Sequence, residues 1–172
     1  MTTASISGAR LLDDRWTLRA SAGAVLDGTL ESENHTVHDI EPGGFVAIGL
    51  EYHATPGDGV KPFVDMSLFL GSLWTQTVSP NSETQASYFA ADARLGARAG
   101  WTVKDNTFPY AAIRVFGGPV HWDWDGEDVT GTDIHHYQLA IGTAVQLKRL
   151  GIYFEWAGFG EQGMSAGLST TW

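Results

Sequence analysis

Residues 88–103, YFAADARLGARAGWTV, alternate between two kinds of side chain. The odd positions are all apolar, and the even positions carry Asp92, Arg94 and Arg98 among mostly small residues. A period of two is typical of a strand with one apolar and one polar face, and helical spacing does not fit it. The stretch is about three times as long as the usual strand of a soluble domain. It therefore predicts a strand long enough to cross a bilayer, for which roughly 9–11 tilted residues suffice.

The same alternation in seven other segments predicts eight strands in all. The predicted strands span residues 15–26, 44–53, 62–75, 88–103, 108–117, 134–147, 150–157 and 164–172. No capping box opens a long run of helical period, and glycine falls inside nearly every strand, so no helix is predicted. The connections are long after the first, third and fifth strands and short after the second, fourth and sixth. This alternation predicts an antiparallel up-and-down barrel, with long loops at one end and tight turns at the other.

Composition limits the possible partners. The formal net charge of −10 argues against nucleic acid and against an anionic membrane surface. The chain has no cysteine, which excludes disulfides and thiolate metal sites. It has no apolar run long enough for a transmembrane helix. Its first residues lack the basic and apolar segments of a secretory signal, so we expect that Met1 replaces a removed signal if the protein is exported.

Charged side chains on the predicted strands decide which face points inward. The polar faces carry four arginines, four carboxylates and no lysine, namely Arg19, Arg94, Arg98, Arg114, Glu51, Asp65, Asp92 and Glu155. A soluble barrel would present Lys, Glu and Thr outward in quantity. Small residues with paired ions instead suit the narrow interior of an eight-stranded barrel. The apolar face would then meet lipid, where a charge at mid-depth costs about 2–4 kcal/mol.

These patterns predict an all-β fold, an eight-stranded antiparallel up-and-down transmembrane β-barrel. The barrel is expected to occupy residues 15–172, after an N-terminal periplasmic segment at residues 1–14. A soluble ligand-binding barrel is the rival fold.

Position along the strands sorts both the charges and the aromatic residues. Six charged residues lie at a similar distance from the short turns, which suggests one lumenal belt of alternating sign made of Arg19, Glu51, Asp65, Arg98, Arg114 and Glu155. The outward aromatic residues form two groups, Trp16, Tyr52, Trp101 and Trp172 at the turns and Trp74, Phe89, Tyr137 and Trp156 toward the loops. Two such girdles are expected at the two interfaces of a membrane barrel.

The last strand carries a further signal. Apolar residues alternate at Met164, Ala166 and Leu168 and end in a terminal aromatic, Trp172, although Thr170 replaces a bulky residue and Trp replaces the commoner Phe. With this ending, residues 15–172 resemble the small eight-stranded outer-membrane barrels of the OmpA/OmpX type. The resemblance implies a monomer in the bacterial outer membrane, in contact with membrane lipid and lipopolysaccharide. It also implies that both chain ends and the short turns are periplasmic, that four loops are outside, and that the assembly machinery recognises the last strand.

The acidic loop HWDWDGED at 121–128 and its neighbours provide only weak site candidates. Asp123 and Asp125 match part of a calcium loop, but His121 replaces the first ligand, so a solvated surface loop is favoured and no metal or cofactor is expected. A lipid-modifying site needs a serine beside a histidine and a carboxylate. No recognisable motif surrounds the loop serines Ser32, Ser79 and Ser82, and the adjacent His135 and His136 point to opposite strand faces.

Fold alone does not define function, so three functions stay open. The favoured one is a structural or surface-interaction protein that acts through acidic extracellular loops, with a lumen filled by the Arg/carboxylate belt and no catalytic residue. The first alternative is a narrow, porin-like channel for ions or small solutes. The second is an outer-membrane lipid-modifying enzyme.

Overall fold

The regular secondary structure of the protein, seen in a computed structural model, consists of β-strands. The structure describes residues 1–31, 37–58, 60–78, 85–124, 127–132 and 136–170. The strands are β1 (Thr2–Leu11), β2 (Trp16–Glu31), β3 (Val37–Ile40), β4 (Gly43–Pro56), β5 (Phe63–Val78), β6 (Gln85–Gly100), β7 (Thr107–Gly117), β8 (Val120–Trp124), β9 (Glu127–Gly131), β10 (Tyr137–Leu147), β11 (Leu150–Gly160) and β12 (Gly163–Thr170). The described residues contain no helix long and apolar enough to cross a membrane.

All the strands belong to one antiparallel sheet. The main path runs β1, β2, β4, β5, β6, β7, β10, β11 and β12, so the sheet has nine positions. β3 prolongs β4 between β2 and β5, and β8 prolongs β7 along β6. β9 folds back on β8 as a hairpin. We call the end with the connections at 12–15, 57–62, 101–106 and 148–149 the turn end, and the opposite end the loop end.

The sheet curls so that side chains from non-adjacent strands meet on its concave face. Arg98 on β6 passes β5 to reach Glu51 on β4, and Arg114 on β7 passes β10 to reach Glu155 on β11. The buried apolar core on this face is small and consists of Ala112, Ala140 and Ala157 with Tyr110 packed against them. The predicted all-β class and antiparallel barrel core are therefore confirmed.

The first strand corrects the predicted start of the sheet. Residues 1–14 were expected to precede the barrel, but β1 pairs with β2 along its whole length, from Thr3 opposite Val25 to Leu11 opposite Thr17. The sequence TTASISGARL has few large apolar side chains, so its alternation is weak, and backbone pairing holds the strand. The predicted count of eight strands is accordingly not confirmed.

The extra strand also changes where the chain ends lie. Met1 contacts the backbone at Gly28 near the loop end, whereas β12 finishes beside Leu150 at the turn end. The expectation that both ends lie at the turn end is therefore wrong for Met1. The reason is geometric, because an odd number of antiparallel positions puts the first and last residues at opposite ends.

Two segments that the sequence analysis assigned to loops also form strands. Residues 118–132 contain the β8–β9 hairpin, in which Trp122 lies opposite Tyr88 of β6. Within residues 27–42, β2 continues to Glu31 and β3 pairs with it. Both segments are rich in acidic residues, which obscured the alternation between inward and outward positions. In the structure Trp122 and His38 take buried positions in these strands. These strands extend the barrel wall at the loop end.

The outward face of the barrel is apolar and exposed. Large side chains on this face that are between 39% and 59% exposed include Val46, Ile48, Leu50, Met66, Leu68, Leu70, Leu95, Ile113, Val115, Leu139, Ile141, Ile152 and Phe154. Among the described residues of β4 to β7 and β10 to β12, this face carries no charged side chain. Arg10 is a charged residue on the outward face of β1, next to the turn end.

Inward aromatic rings lie over glycines on neighbouring strands. The Phe69 ring covers Gly49, and the Tyr110 ring covers Gly142, so a Cβ atom at either glycine would collide with the ring. Glycine at these positions lets a large ring lie flat against the wall of a narrow interior.

We predict that Gly49→Ala destabilises the fold by about 1–3 kcal/mol, because the added methyl group overpacks against the Phe69 ring and the Leu68 carbonyl. Gly8→Ala is the matched control, since a Cβ at Gly8 meets nothing within 4 Å. The control should raise stability by about 0.5–1 kcal/mol through lower backbone entropy in the unfolded chain. Urea unfolding followed by tryptophan fluorescence measures both, and equal effects would contradict the packing.

Candidate functional site

The largest charged cluster lies inside the barrel toward the turn end. Arg19 Nε donates to Glu51 at 2.5 Å, and Arg98 Nη2 donates to the other Glu51 oxygen, also at 2.5 Å. Arg98 Nε donates to Asp65 at 2.8 Å. The register places Asp65 directly opposite Arg98, and the period of two turns the charged residues inward. Arg98 thereby joins three consecutive strands, β4, β5 and β6.

A histidine and a threonine complete this cluster. His53 Nδ1 lies 2.7 Å from Asp65 Oδ1, and His53 Nε2 lies 3.0 Å from Thr17 Oγ1. The sequence analysis did not select either residue. The available signal was their place on the polar faces, where His53 follows Glu51 and Thr17 precedes Arg19 by two residues. We call Thr17, Arg19, Glu51, His53, Asp65 and Arg98 the turn-end network.

Three members of the turn-end network have the donor types of a metal site. Ligand atoms of Glu51, His53 and Asp65 all lie within 4.8 Å of one another. Arg98, however, donates to both carboxylates, and Arg19 also donates to Glu51. A divalent cation would have to displace these guanidinium groups, so the arrangement favours an ion-paired cluster over a metal centre.

A second cluster surrounds Arg114. Its guanidinium donates to both oxygens of Glu155, at 2.8 and 2.7 Å, and to Gln138 at 2.6 Å. Tyr110 donates its hydroxyl to Glu155 at 3.0 Å. The Tyr110 ring also lies 5.9 Å from the Arg98 guanidinium carbon, which makes a cation–π contact. The predicted belt is therefore two hydrogen-bonded networks that Tyr110 bridges.

Arg94 and Asp92 stand apart from both networks. Their closest nitrogen and oxygen atoms are 3.7 Å apart, and the buried Arg94 Nε has no hydrogen-bond acceptor within the described part of the chain. The Arg94 guanidinium lies 5.0 Å from the centre of the Phe116 ring. This arginine is thus held by a ring contact and a long ion pair.

Water reaches the arginines more readily than most of the carboxylates. The side chains of Arg19 and Arg98 are 40% and 38% exposed, whereas those of Glu51 and Asp65 are 6% and 8% exposed. Arg114 is likewise more exposed than Glu155. Although the chain as a whole is acidic, the charge accessible in these interior networks is therefore positive.

The loop end has its own buried cluster. His38 on β3 is fully buried, and its ring lies edge-on to Trp122 with centroids 4.9 Å apart. Trp122 Nε1 donates to Thr77 Oγ1 at 2.8 Å. Burial lowers the pKa of His38 below its ordinary value of 6.5.

Three of the weaker site candidates of the loop end, Asp123, His121 and His136, lie within the described residues at exposed positions. Asp123 is exposed on β8, and its proposed calcium partner Asp125 lies outside the described residues. His121 Nδ1 is 3.4 Å from Thr130 Oγ1, and His136 is exposed. Ser32, Ser79, Ser82 and His135 also lie outside the described residues.

The girdle candidates that lie on described strands project from the outward face, namely Trp16, Tyr52, Trp74, Phe89, Tyr137 and Trp156. Trp16 and Tyr52 pack together with ring centroids 4.9 Å apart at the turn end, and Trp74 lies opposite Phe89 toward the loop end. The exposed members are Trp16, Trp74, Phe89, Trp101, Tyr137 and Trp156. Trp172 lies outside the described residues.

Comparison with protein-family models, with curated proteins and with solved structures finds no match to this chain. The resemblance to OmpA/OmpX-type barrels thus stays a prediction from sequence pattern.

We predict that Arg98→Ala destabilises the protein by about 2–4 kcal/mol, because it leaves two buried carboxylates without their shared cation. Arg94→Ala is the control, since its ion pair is long and partly exposed, and it should cost less than about 1 kcal/mol. Urea unfolding of both variants tests this, and the double variant with Asp65→Asn should recover part of the Arg98→Ala loss. Equal losses for Arg98 and Arg94 would contradict the bridging role.

We predict that the loop end loosens in acid. Because burial lowers the pKa of His38, its neutral ring contributes full stability above pH 6.5, and that contribution declines as pH falls below this value. Hydrogen exchange at β3 and β8, corrected for intrinsic rates, should therefore speed up between about pH 7 and about pH 5. His38→Gln should remove this dependence, and an unchanged dependence in that variant would assign the effect to another group.

Proposed function

We propose that this chain is an integral β-barrel of the bacterial outer membrane. The observation that carries the proposal is the inverted polarity of the wall, with exposed aliphatic side chains outside and ion pairs inside. A soluble protein rarely exposes so large a continuous apolar surface, while a membrane barrel requires one. The sequence resemblance to OmpA/OmpX-type barrels supports the same location, although β1 departs from the eight-strand pattern.

Strand lengths fit this proposal. β5 and β6 each have 16 residues, more than the roughly 9–11 that cross a bilayer. Their loop-end parts, together with β3, β8 and β9, would stand outside the hydrocarbon region, where contact with lipopolysaccharide is expected. Trp16 and Tyr52 would lie at one interface, and Trp74 and Phe89 would lie at the other.

We predict that lipids with brominated acyl chains quench the tryptophan fluorescence of the protein after it is refolded into vesicles. Trp74 is half exposed on the outward face, so Trp74→Phe should reduce the quenched fraction. Trp122 is buried inside the loop end and provides the control, because Trp122→Phe should leave the quenched fraction intact or raise it. A protein that stays dispersed without detergent and shows no quenching would contradict membrane insertion.

Within the membrane, we propose that the barrel is a narrow passage for ions or small solutes. This was the first alternative from sequence, and the supporting observation is the partial exposure of the interior arginines. Exposed guanidinium groups beside buried carboxylates would favour anions over cations.

We predict single-channel steps in planar bilayers, with a reversal potential in a salt gradient that indicates anion preference. Arg98→Gln removes an accessible cation, so it should shift the reversal potential toward cation preference. Arg10→Gln is the control, because Arg10 is on the outward face and should change neither conductance nor selectivity. Absence of steps in the native protein and in both variants would instead favour a sealed interior.

The second candidate function is the structural or surface-interaction role. The observation in its favour is the β8–β9 hairpin at the loop end, whose sequence HWDWDGED is acidic. A basic surface partner, or lipopolysaccharide bridged by divalent cations, would match this charge. A sealed barrel with this hairpin intact would leave surface interaction as the function.

A further inference from the structure

We propose that Thr17, His53 and Asp65 form a hydrolytic site for small carboxylic esters inside the turn end of the barrel. The inference goes beyond the passage proposed above and departs from the sequence-based expectation that the protein has no catalytic residue. It is carried by the relative positions of a nucleophile, a base and an orienting carboxylate on three consecutive strands, β2, β4 and β5.

The hydrogen bonds select one histidine tautomer for the proposed reaction. Asp65 accepts from Arg98 Nε on one oxygen and lies 2.7 Å from His53 Nδ1 through the other. A carboxylate oxygen accepts, so the pairing assigns a hydrogen to Nδ1, and the tautomer that the proposal uses has its lone pair on Nε2. In that tautomer Thr17 Oγ1, 3.0 Å from Nε2, donates its hydroxyl proton to the imidazole. This is the arrangement that activates an alcohol nucleophile.

The surroundings hold this arrangement in place. Asp65 is buried, and the guanidinium of Arg98 fixes it from the side opposite His53. Thr17 is 8% exposed, and its backbone is paired with Glu51 on β4. Side chains on paired strands, locked by second contacts, keep a catalytic geometry more rigidly than side chains on loops.

Arg19 supplies the positive charge that the reaction needs. It lies two residues from Thr17 on the same inward face, and among the described residues its bond to Glu51 uses only the Nε–H. The remaining guanidinium hydrogens are free to bind the oxygen of a substrate carbonyl, and the side chain is 40% exposed. Donors aimed at a developing oxyanion provide much of the rate in acyl transfer.

The reaction balances with water as the second reactant. Thr17 Oγ1 attacks the carbonyl carbon while its proton passes to His53 Nε2, and the carbonyl electron pair moves to the oxygen beside Arg19. Collapse breaks the ester C–O bond, and His53 returns the proton to the leaving alcohol. Water, deprotonated by His53, then attacks the acyl-threonine and releases the carboxylic acid, which regenerates the Thr17 hydroxyl and neutral His53.

The narrow interior and its accessible arginines define the substrate class. Thr17 is 8% exposed, which excludes a folded polypeptide and restricts the proposed substrate to a small ester. The guanidinium groups of Arg19 and Arg98 favour esters that carry a negative charge.

The test uses the full chain refolded in detergent, a fluorophosphonate probe and 4-nitrophenyl acetate. The probe should label Thr17, as located by peptide mass spectrometry, and the protein should hydrolyse the ester. Thr17→Val, which is nearly isosteric, and His53→Gln should each lower the rate about 100-fold or more. Thr17→Ser should retain labelling. Ser21→Ala is the matched control, because Ser21 is on the same face of β2, and its rate should equal that of the native protein.

Asp65 acts through His53 and is a positioning residue. Asp65→Asn should lower kcat and leave KM nearly unchanged, whereas general loosening of the site would change both. The urea midpoint of each variant shows whether a loss of its hydrolysis rate is caused by unfolding.

The proposal would be overturned if the probe left Thr17 of the folded native protein unlabelled, whether or not it labelled another residue. It would also be overturned if a folded Thr17→Val variant hydrolysed the ester as fast as the native protein. Conductance and lipid quenching measured on Thr17→Val separate this inference from the proposed function. If both persist while the native protein shows no hydrolysis, only the hydrolytic site fails. Loss of insertion and conductance in the native protein would contradict the membrane proposal alone.

Discussion

The guanidinium of Arg98 is the interaction on which the interior most depends. It pairs with Glu51 and Asp65, two buried carboxylates, and burial of a charged group is costly unless the group is paired. Because these residues are on β4, β5 and β6, the same group also fixes the register of three strands. A slip of one residue in any of these strands would turn the charge of that strand onto the apolar face.

The same guanidinium determines what the rest of the turn-end network can do. By occupying one oxygen of Asp65, Arg98 leaves the other for His53, which in turn faces Thr17. Through the ring of Tyr110, it also links this network to Arg114 and Glu155. The side chains that neutralise the interior charges are consequently the same ones that place Thr17 beside His53. The register that keeps charges away from the outward face is also the register that aligns a nucleophile with a base.

Hydrophobic alternation was sufficient to find the long strands and the two faces of the wall. It placed the bounds of β2, β4, β5, β6, β7, β10, β11 and β12 within five residues of those observed, because each of these strands has one apolar face. It missed β1, whose pairing relies on backbone hydrogen bonds, and the β8–β9 hairpin, whose acids hid Val120 and Trp122. Periodicity reports which side of a sheet a residue faces and carries no information about partners across the sheet. The contacts among Thr17, His53 and Asp65 depend on register and curvature, which only the folded chain defines.

The addition of β1 changes the symmetry of the wall. With nine alternating positions, β1 and β12 run in the same direction, whereas each described neighbouring pair is antiparallel. A ladder between these two strands would have to be parallel, with slanted and slightly weaker hydrogen bonds. Among the described residues no register joins them, and both are exposed on their two faces. Within the part of the chain that the structure describes, β1 and β12 are thus the two edges of the sheet, and their outer backbone N–H and C=O groups are the ones with which a further strand could pair.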